Sequence, residues 1–108
     1  MRRGKKKEGM AVNYLKNKGY EILGRNVIKR LNQHKKAEYD IIAKRGRYCY
    51  AVEVKSGKQV LTSSDIEKLH KKANKIKAKG LLITGRYVKL TDKAKKELKK
   101  RKIRWIII

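Results

Sequence analysis

Three charged residues near the middle of the chain have the types and the spacing of a metal site. Asp40 lies in the apolar run EYDIIA, and Glu53 and Lys55 lie in the run YAVEVK. The chain has only 9 acidic residues against 33 lysines and arginines, so an acid among apolar neighbours stands out. A carboxylate in such a place is costly to bury unless a cation or a proton compensates it. We therefore expect these acids to share a compensating partner.

A hairpin would bring the two acids together. With a two-residue loop at Arg45-Gly46, Asp40 lies opposite Ala51 and diagonal to Glu53. Alternate residues of a strand point to one side, so Asp40, Glu53 and Lys55 are predicted to share a face. A slip of one residue would move Asp40 to the other face.

Two converging carboxylates favour a hard divalent cation such as Mg²⁺, and Mn²⁺ is expected to substitute for it. Such an ion lowers the pKa of a bound water and stabilises negative charge on a phosphoryl oxygen. Lys55 could place an ammonium beside the attacking water or the scissile phosphate. Glu8, on the inward face of the first predicted helix, could add a third carboxylate through a metal-bound water. The predicted metal ligands are therefore Asp40, Glu53 and Glu8, with Lys55 as a further catalytic residue.

Hydrophobic periodicity predicts the elements that position these residues. The chain divides into helix, three strands, helix, strand, helix and strand, an αβββαβαβ order. A meander followed by alternating strands and helices indicates an α/β fold with a mixed sheet of about five strands and helices on its faces. The predicted helices are 5–18, one that begins with a Ser64–Glu67 capping box, and 92–101 capped by Thr91; the predicted strands are 20–30, 37–43, 47–55, 80–84 and 103–108.

Composition limits the partners and the location. A chain of 108 residues fits one domain, 1–108, and a formal net charge of +24 favours a polyanion, nucleic acid above all. No apolar run is long enough to span a bilayer or to form a signal sequence, so an intracellular, nucleoid-associated protein with no membrane partner is expected. The apolar segment WIII at the end of the sequence is expected to be buried, either as an inner strand of the sheet or in a homodimer interface.

A rival interpretation needs no catalysis. A charge of +24 alone would suit a non-catalytic basic nucleic-acid-binding protein, and Glu-x-Lys is common on solvated strand faces. Such a protein, however, has no use for inward acids that repel phosphate, which favours the metal site.

The segments RGKKKEGMAVNYLKNKGYEIL, EYDIIA and YAVEVK resemble the PD-(D/E)XK nuclease superfamily. Among its branches the chain is most similar to the archaeal Holliday junction resolvases, which have a similar Gly-x-x-x-Glu opening before a Leu-rich helix. Tyr39 stands where the motif's name has proline, and the segment SGKQVLTSSD does not clearly match the resolvase loop.

The resemblance implies a restriction-endonuclease-like fold and Mg²⁺-dependent hydrolysis of a DNA phosphodiester. It makes Asp40 and Glu53 the metal ligands, Lys55 the catalytic lysine and Glu8 the acid of the first helix. Structure-selective cleavage of branched DNA by a homodimer, in recombination or repair, is the leading expectation. The same site acting on plain duplex, single-stranded DNA or RNA is the alternative.

Overall fold

The chain folds around a five-stranded mixed sheet with helices on both faces. The computed structural model describes residues 3–108, and side chains from Lys6 onward. The sheet order is β1-β2-β3-β5-β7, in which β1, β2 and β3 are antiparallel neighbours and β3, β5 and β7 are parallel. The elements are α1 (Arg3–Asn17), β1 (Glu21–Arg30), β2 (Lys36–Arg45), β3 (Tyr48–Lys55), β4 (Gln59–Leu61), α2 (Ser63–Lys75), β5 (Lys79–Thr84), β6 (Val88–Leu90), α3 (Asp92–Arg101) and β7 (Arg104–Ile107). The predicted mixed sheet and its flanking helices are confirmed.

Two short strands extend the predicted αβββαβαβ order. β4 and β6 pair in parallel as a separate two-stranded sheet, with Leu61 beside Leu90. Each strand has only three residues, too few for an alternating pattern to distinguish it from a loop. Together they tie the segment after β3 to the segment after β5.

The core has two layers because the sheet is covered on both sides. On one side α1 packs Ala11, Val12 and Leu15 against β2, β3 and β5. On the other side α2 and α3 pack residues such as Leu69 and Leu98 against the sheet. Helical spacing of the apolar residues dictates both contacts.

The β2–β3 hairpin has a different loop from the predicted one. Arg45 pairs with Tyr48, so the two loop residues are Gly46 and Arg47 rather than Arg45 and Gly46. Gly46 has φ +62°, the positive angle that glycine adopts readily at the first loop position of a type II′ turn. The predicted pairing was therefore wrong by two residues.

Helix starts were predicted with mixed success. The hydroxyl of Thr91 accepts a hydrogen bond from the N–H of Ala94, which confirms the cap of α3. At α2 the cap is Thr62, not Ser64: the carboxylate of Asp65 accepts hydrogen bonds from the N–H and the hydroxyl of Thr62.

The apolar chain ending forms an edge strand. β7 pairs with β5 alone among the described strands, so of the two alternatives the inner strand is excluded and the subunit interface stays a prediction. Ile106 is buried, Ile107 is 55% exposed, and the indole N–H of Trp105 donates to the hydroxyl of buried Thr84 at 2.9 Å. Across residues 3–108, no helix combines the length and the apolar character that crossing a membrane requires.

Candidate active site

Asp40 and Glu53 meet where β2 and β3 stop pairing. The last paired residues are Ile41 and Val52, and Asp40 and Glu53 are the next residue on each strand. Ala51 pairs with Ile42 rather than with Asp40, so both acids lie one position beyond the last pair of the hairpin. A carboxylate oxygen of Asp40 accepts a hydrogen bond from the backbone N–H of Val54 at 2.8 Å, which fixes the side chain to the neighbouring strand.

Negative charge is concentrated around Asp40. Burial, followed by the carboxylate of Glu53, raises the pKa of Asp40 from 3.8 to about 6. Glu8 raises the pKa further, whereas the Val54 N–H and the Lys72 ammonium lower it. Asp40 therefore senses acids from both α1 and β3, and a cation placed among them would be stabilised.

Glu53 is held by two lysines, one on each carboxylate oxygen. Lys55 Nζ lies 3.4 Å from Glu53 Oε2, and Lys72 Nζ lies 3.2 Å from Glu53 Oε1. All three side chains are partly buried, with exposed fractions of 20% for Glu53, 35% for Lys55 and 26% for Lys72. Each ammonium is therefore also within reach of any group bound at Glu53.

Lys72 was not predicted from the sequence. Tyr39 anchors it: the Tyr39 hydroxyl donates to the Lys72 carbonyl at 2.8 Å, and the ammonium lies 5.2 Å from the centre of the Tyr39 ring. Lys72 follows Leu69 by three positions, at the border of the inward face of α2. The sequence did contain a signal for Lys72. It is a lysine spaced with the inward-facing apolar residues of a helix that must pack on the strand carrying Glu53.

Glu8 lies near Asp40, and one of its carboxylate oxygens has no hydrogen-bond partner among the described residues. Its Oε1 is buried and accepts no hydrogen bond from the residues that the structure describes. Such an atom calls for a cation, a proton or a water. The influence of Glu8 on the pKa of Asp40 puts the two carboxylates in electrostatic contact.

The oxygen donors suit a hard divalent ion that keeps part of its water shell. Among residues 3–108, no three His, Cys, Asp and Glu side chains come close enough to hold a metal ion alone. Asp40 and Glu53 as direct ligands, with Glu8 acting through a water, would fit a partly hydrated ion better than they would fit an ion whose ligands all come from the protein. A cavity of about 150 Å³ between β3 and α2, lined by Glu53, Lys55 and Lys72, provides space beside them.

Comparison with known proteins places this site in context. The model of a family described as "Uncharacterised protein family UPF0102" matches residues 7–87. A UPF0102 protein of Thermotoga petrophila is 37% identical over 91 residues, 84% of this chain and 74% of its own length. Another, from Christiangramia forsetii, is 53% identical over 53 residues, 49% of this chain and 40% of its own length. The match to the latter therefore spans less than half of that relative.

Solved structures share the fold. A repair endonuclease from Pyrococcus abyssi superimposes with a TM-score of 0.71 at 18% identity, over 100% of this chain and 48% of that one. The Holliday junction resolvase Hjc of Archaeoglobus fulgidus superimposes with a TM-score of 0.53 at 23% identity, over 82% of this chain and 70% of that one. The predicted resemblance to the restriction-endonuclease-like fold is confirmed. The two UPF0102 relatives come from bacteria.

Proposed function

The chain belongs to the UPF0102 family, and we propose that it is a Mg²⁺-dependent endonuclease that hydrolyses phosphodiester bonds in DNA. The observation that carries the proposal is the approach of Glu53 and Glu8 to Asp40 in a chain of net charge +24, with a Glu8 oxygen that accepts no hydrogen bond from the described residues. A protein that only binds phosphate gains nothing from acids at such a point. A hydrolase needs them to hold a cation.

The proposed roles follow from position. Asp40 and Glu53 would hold the ion, and Glu8 would contact it through a water. When bound, Mg²⁺ would lower the pKa of a water and offset charge on the phosphoryl oxygen. Lys55, 3.4 Å from Glu53, would donate a hydrogen bond to the scissile phosphate or to the attacking water.

Lys72 would have a related role on the opposite side of Glu53. Its ammonium lies 3.2 Å from Glu53 Oε1, and the Tyr39 hydroxyl anchors its backbone by donating to the Lys72 carbonyl. It would offset charge on the phosphate and keep the Glu53 carboxylate in place. The two lysines would thus flank the reacting group.

DNA as the substrate, structure-selective cleavage and a homodimer are parts of the same proposal. The described activities of the structural neighbours, a repair endonuclease and a junction resolvase, support DNA. The edge position of β7 and the 55% exposure of Ile107 support a subunit contact, and a two-fold dimer would match a two-fold junction. Plain duplex, single-stranded DNA and RNA are the alternative substrates for the same residues.

A non-catalytic binding protein is the second candidate. The ion pairs of Glu53 with Lys55 and Lys72 favour it, because they compensate that acid without a metal. These ion pairs compensate neither the buried Glu8 Oε1 nor Asp40, whose pKa is raised. The nuclease, which needs a cation at these acids, is therefore the better explanation.

The deciding experiment is cleavage of labelled four-way junction, duplex, single-stranded DNA and single-stranded RNA, with Mg²⁺ and with EDTA. Wild type is compared with Glu53→Gln and with Glu21→Gln, a matched control in which an exposed acid at the start of β1 loses the same charge. We expect Mg²⁺-dependent cleavage that Glu53→Gln abolishes and Glu21→Gln retains. Tight binding without cleavage of any substrate would establish the binding protein instead.

A further inference from the structure

A basic groove lies beside the candidate site, at the carboxyl ends of β3 and β5. Three adjoining cavities make it up, the largest with a volume of about 760 Å³, and Tyr87 lines all three. That volume lies within the range of small-ligand pockets, about 300 to 1,000 Å³. The groove is therefore large enough for parts of a polymer rather than for an ion alone.

The charge of the groove points to a polyanion. Lys6, Lys7, Lys58, Arg86 and Lys89 line it, and no Asp or Glu is among the described residues of its walls. Cations gathered along one groove, without acids between them, attract a phosphate backbone through counterion release.

Tyr87 offers an aromatic surface in this setting. Its side chain is 57% exposed, and the Arg86 guanidinium lies 5.3 Å from the ring centre. An exposed Tyr ring inside a groove lined by cations can serve as a stacking platform for a base. A base inside a duplex already stacks on its neighbours, so the platform suits an unpaired base.

The groove is linked to the candidate site through the backbone. The N–H of Gly85 donates to the carbonyl of Lys55 at 3.0 Å, and Ser56 to Lys58 continue directly from Lys55. A strand in the groove would therefore pass close to Lys55 and Glu53.

We propose that this groove holds an unpaired DNA strand leading away from the scissile phosphate, with one base stacked on Tyr87. The inference rests on the proposed nuclease function and narrows its substrate to DNA with an unpaired segment. The lysines and Arg86 bind the backbone of that strand, and Tyr87 distinguishes it from plain duplex.

The test is binding, measured in EDTA so that cleavage plays no part. Fluorescence anisotropy gives the dissociation constants of a labelled single-stranded oligonucleotide and of a labelled duplex for wild type, Tyr87→Ala, Tyr87→Trp and Tyr48→Ala. Tyr48→Ala is the matched control: Tyr48 is 42% exposed, beside Arg47 and Lys79, but at the opposite end of β3. At about 3.3 Å per residue it lies roughly 23 Å from Lys55 along the strand.

We expect Tyr87→Ala to weaken single-strand binding about tenfold and to change duplex binding less than about twofold, because one stacked base is lost. Tyr87→Trp should retain single-strand binding, and Tyr48→Ala should match wild type. Equal losses in Tyr87→Ala and Tyr48→Ala, or an equal loss for duplex and single strand, would overturn the stacking site.

A second variant tests the backbone contacts. Lys58→Ala should reduce the slope of log affinity against log salt for single-stranded DNA by about 0.7, whereas Lys29→Ala, exposed on β1, should leave the slope unchanged. Identical slopes for both variants would show that the groove is not part of the DNA-binding surface. Binding that follows these expectations without cleavage of any DNA would refute the nuclease and keep the groove, so the two failures are distinguishable.

Discussion

Replacing Asp40 by Asn should make the metal-free protein more stable while removing a proposed ion ligand. The amide oxygen of Asn can still accept the hydrogen bond from Val54 N–H, so the contact to β3 is kept. What disappears is a negative charge that burial, Glu53 and Glu8 all disfavour. Removing this charge should therefore raise the free energy of unfolding at neutral pH.

The size of the effect follows from the pKa of Asp40. That pKa is about 6 in the folded chain against an ordinary value of 3.8, a difference of about 2.2. At 1.36 kcal/mol for each pKa unit, this corresponds to about 3 kcal/mol, or about 2 kcal/mol after allowance for solvent near a half-buried group. Between pH 4 and 6 the folded state holds the proton that the unfolded state has lost, so wild-type stability falls as pH rises through this window. Asn has no such proton, and its advantage should grow from near zero at pH 4 to about 2 kcal/mol at pH 8.

Urea denaturation in EDTA at pH 4 and pH 8 measures this difference. Asp92→Asn is the control, since Asp92 is an exposed acid in the first turn of α3 and its replacement changes the net charge equally. We expect Asp92→Asn to differ from wild type by less than about 0.5 kcal/mol at either pH. An Asp40→Asn variant that is no more stable than wild type at pH 8, or that is equally stabilised at pH 4, would refute the electrostatic reasoning.

Two further predictions concern the same residues. In the proposed mechanism Asp40 has to lose its proton to hold the ion, so cleavage at subsaturating Mg²⁺ should rise up to about tenfold per pH unit below pH 6 and then level off. A pH–rate profile that is flat between pH 5 and 7 would contradict this. Lys72→Met should lower the free energy of unfolding by about 0.5 to 1 kcal/mol, because its ion pair with Glu53 is lost. Lys71→Met, at an exposed position of the same helix, should not lower it. Equal urea midpoints for the two variants would show that the ion pair does not stabilise the fold.

Local signals predicted most of the fold. The apolar spacing of α1 and α2 and the Thr91 cap of α3 depend on neighbours within a few residues, and all three helices were found. β4 and β6 were missed because each becomes a strand only through pairing with the other, about thirty positions away. The position of β7 at the sheet edge likewise depends on the path of the whole chain.

The sequence named four residues of the candidate site, whose roles stay predictions, but it did not predict their geometry. Parity along β3 put Glu53 and Lys55 on one face whatever the loop, since a shift of two residues preserves the face. The position of Gly46 in the turn set the pairing of Ala51 with Ile42 rather than with Asp40, and that position depends on a backbone angle. Lys72 was missed because its contact with Glu53 joins α2 to β3, and only the packing of the helix on the sheet brings them together.

The hydrogen bond from Trp105 to Thr84 gives the molecule an optical reporter at a useful place. Trp105 is the single tryptophan of the chain, and Thr84 directly precedes the Gly85–Tyr87 segment that borders the basic groove. Movement of that segment would alter the hydrogen bond of the indole, and with it the wavelength of its emission. Movement at the groove can therefore be followed in the unlabelled protein by the fluorescence of Trp105.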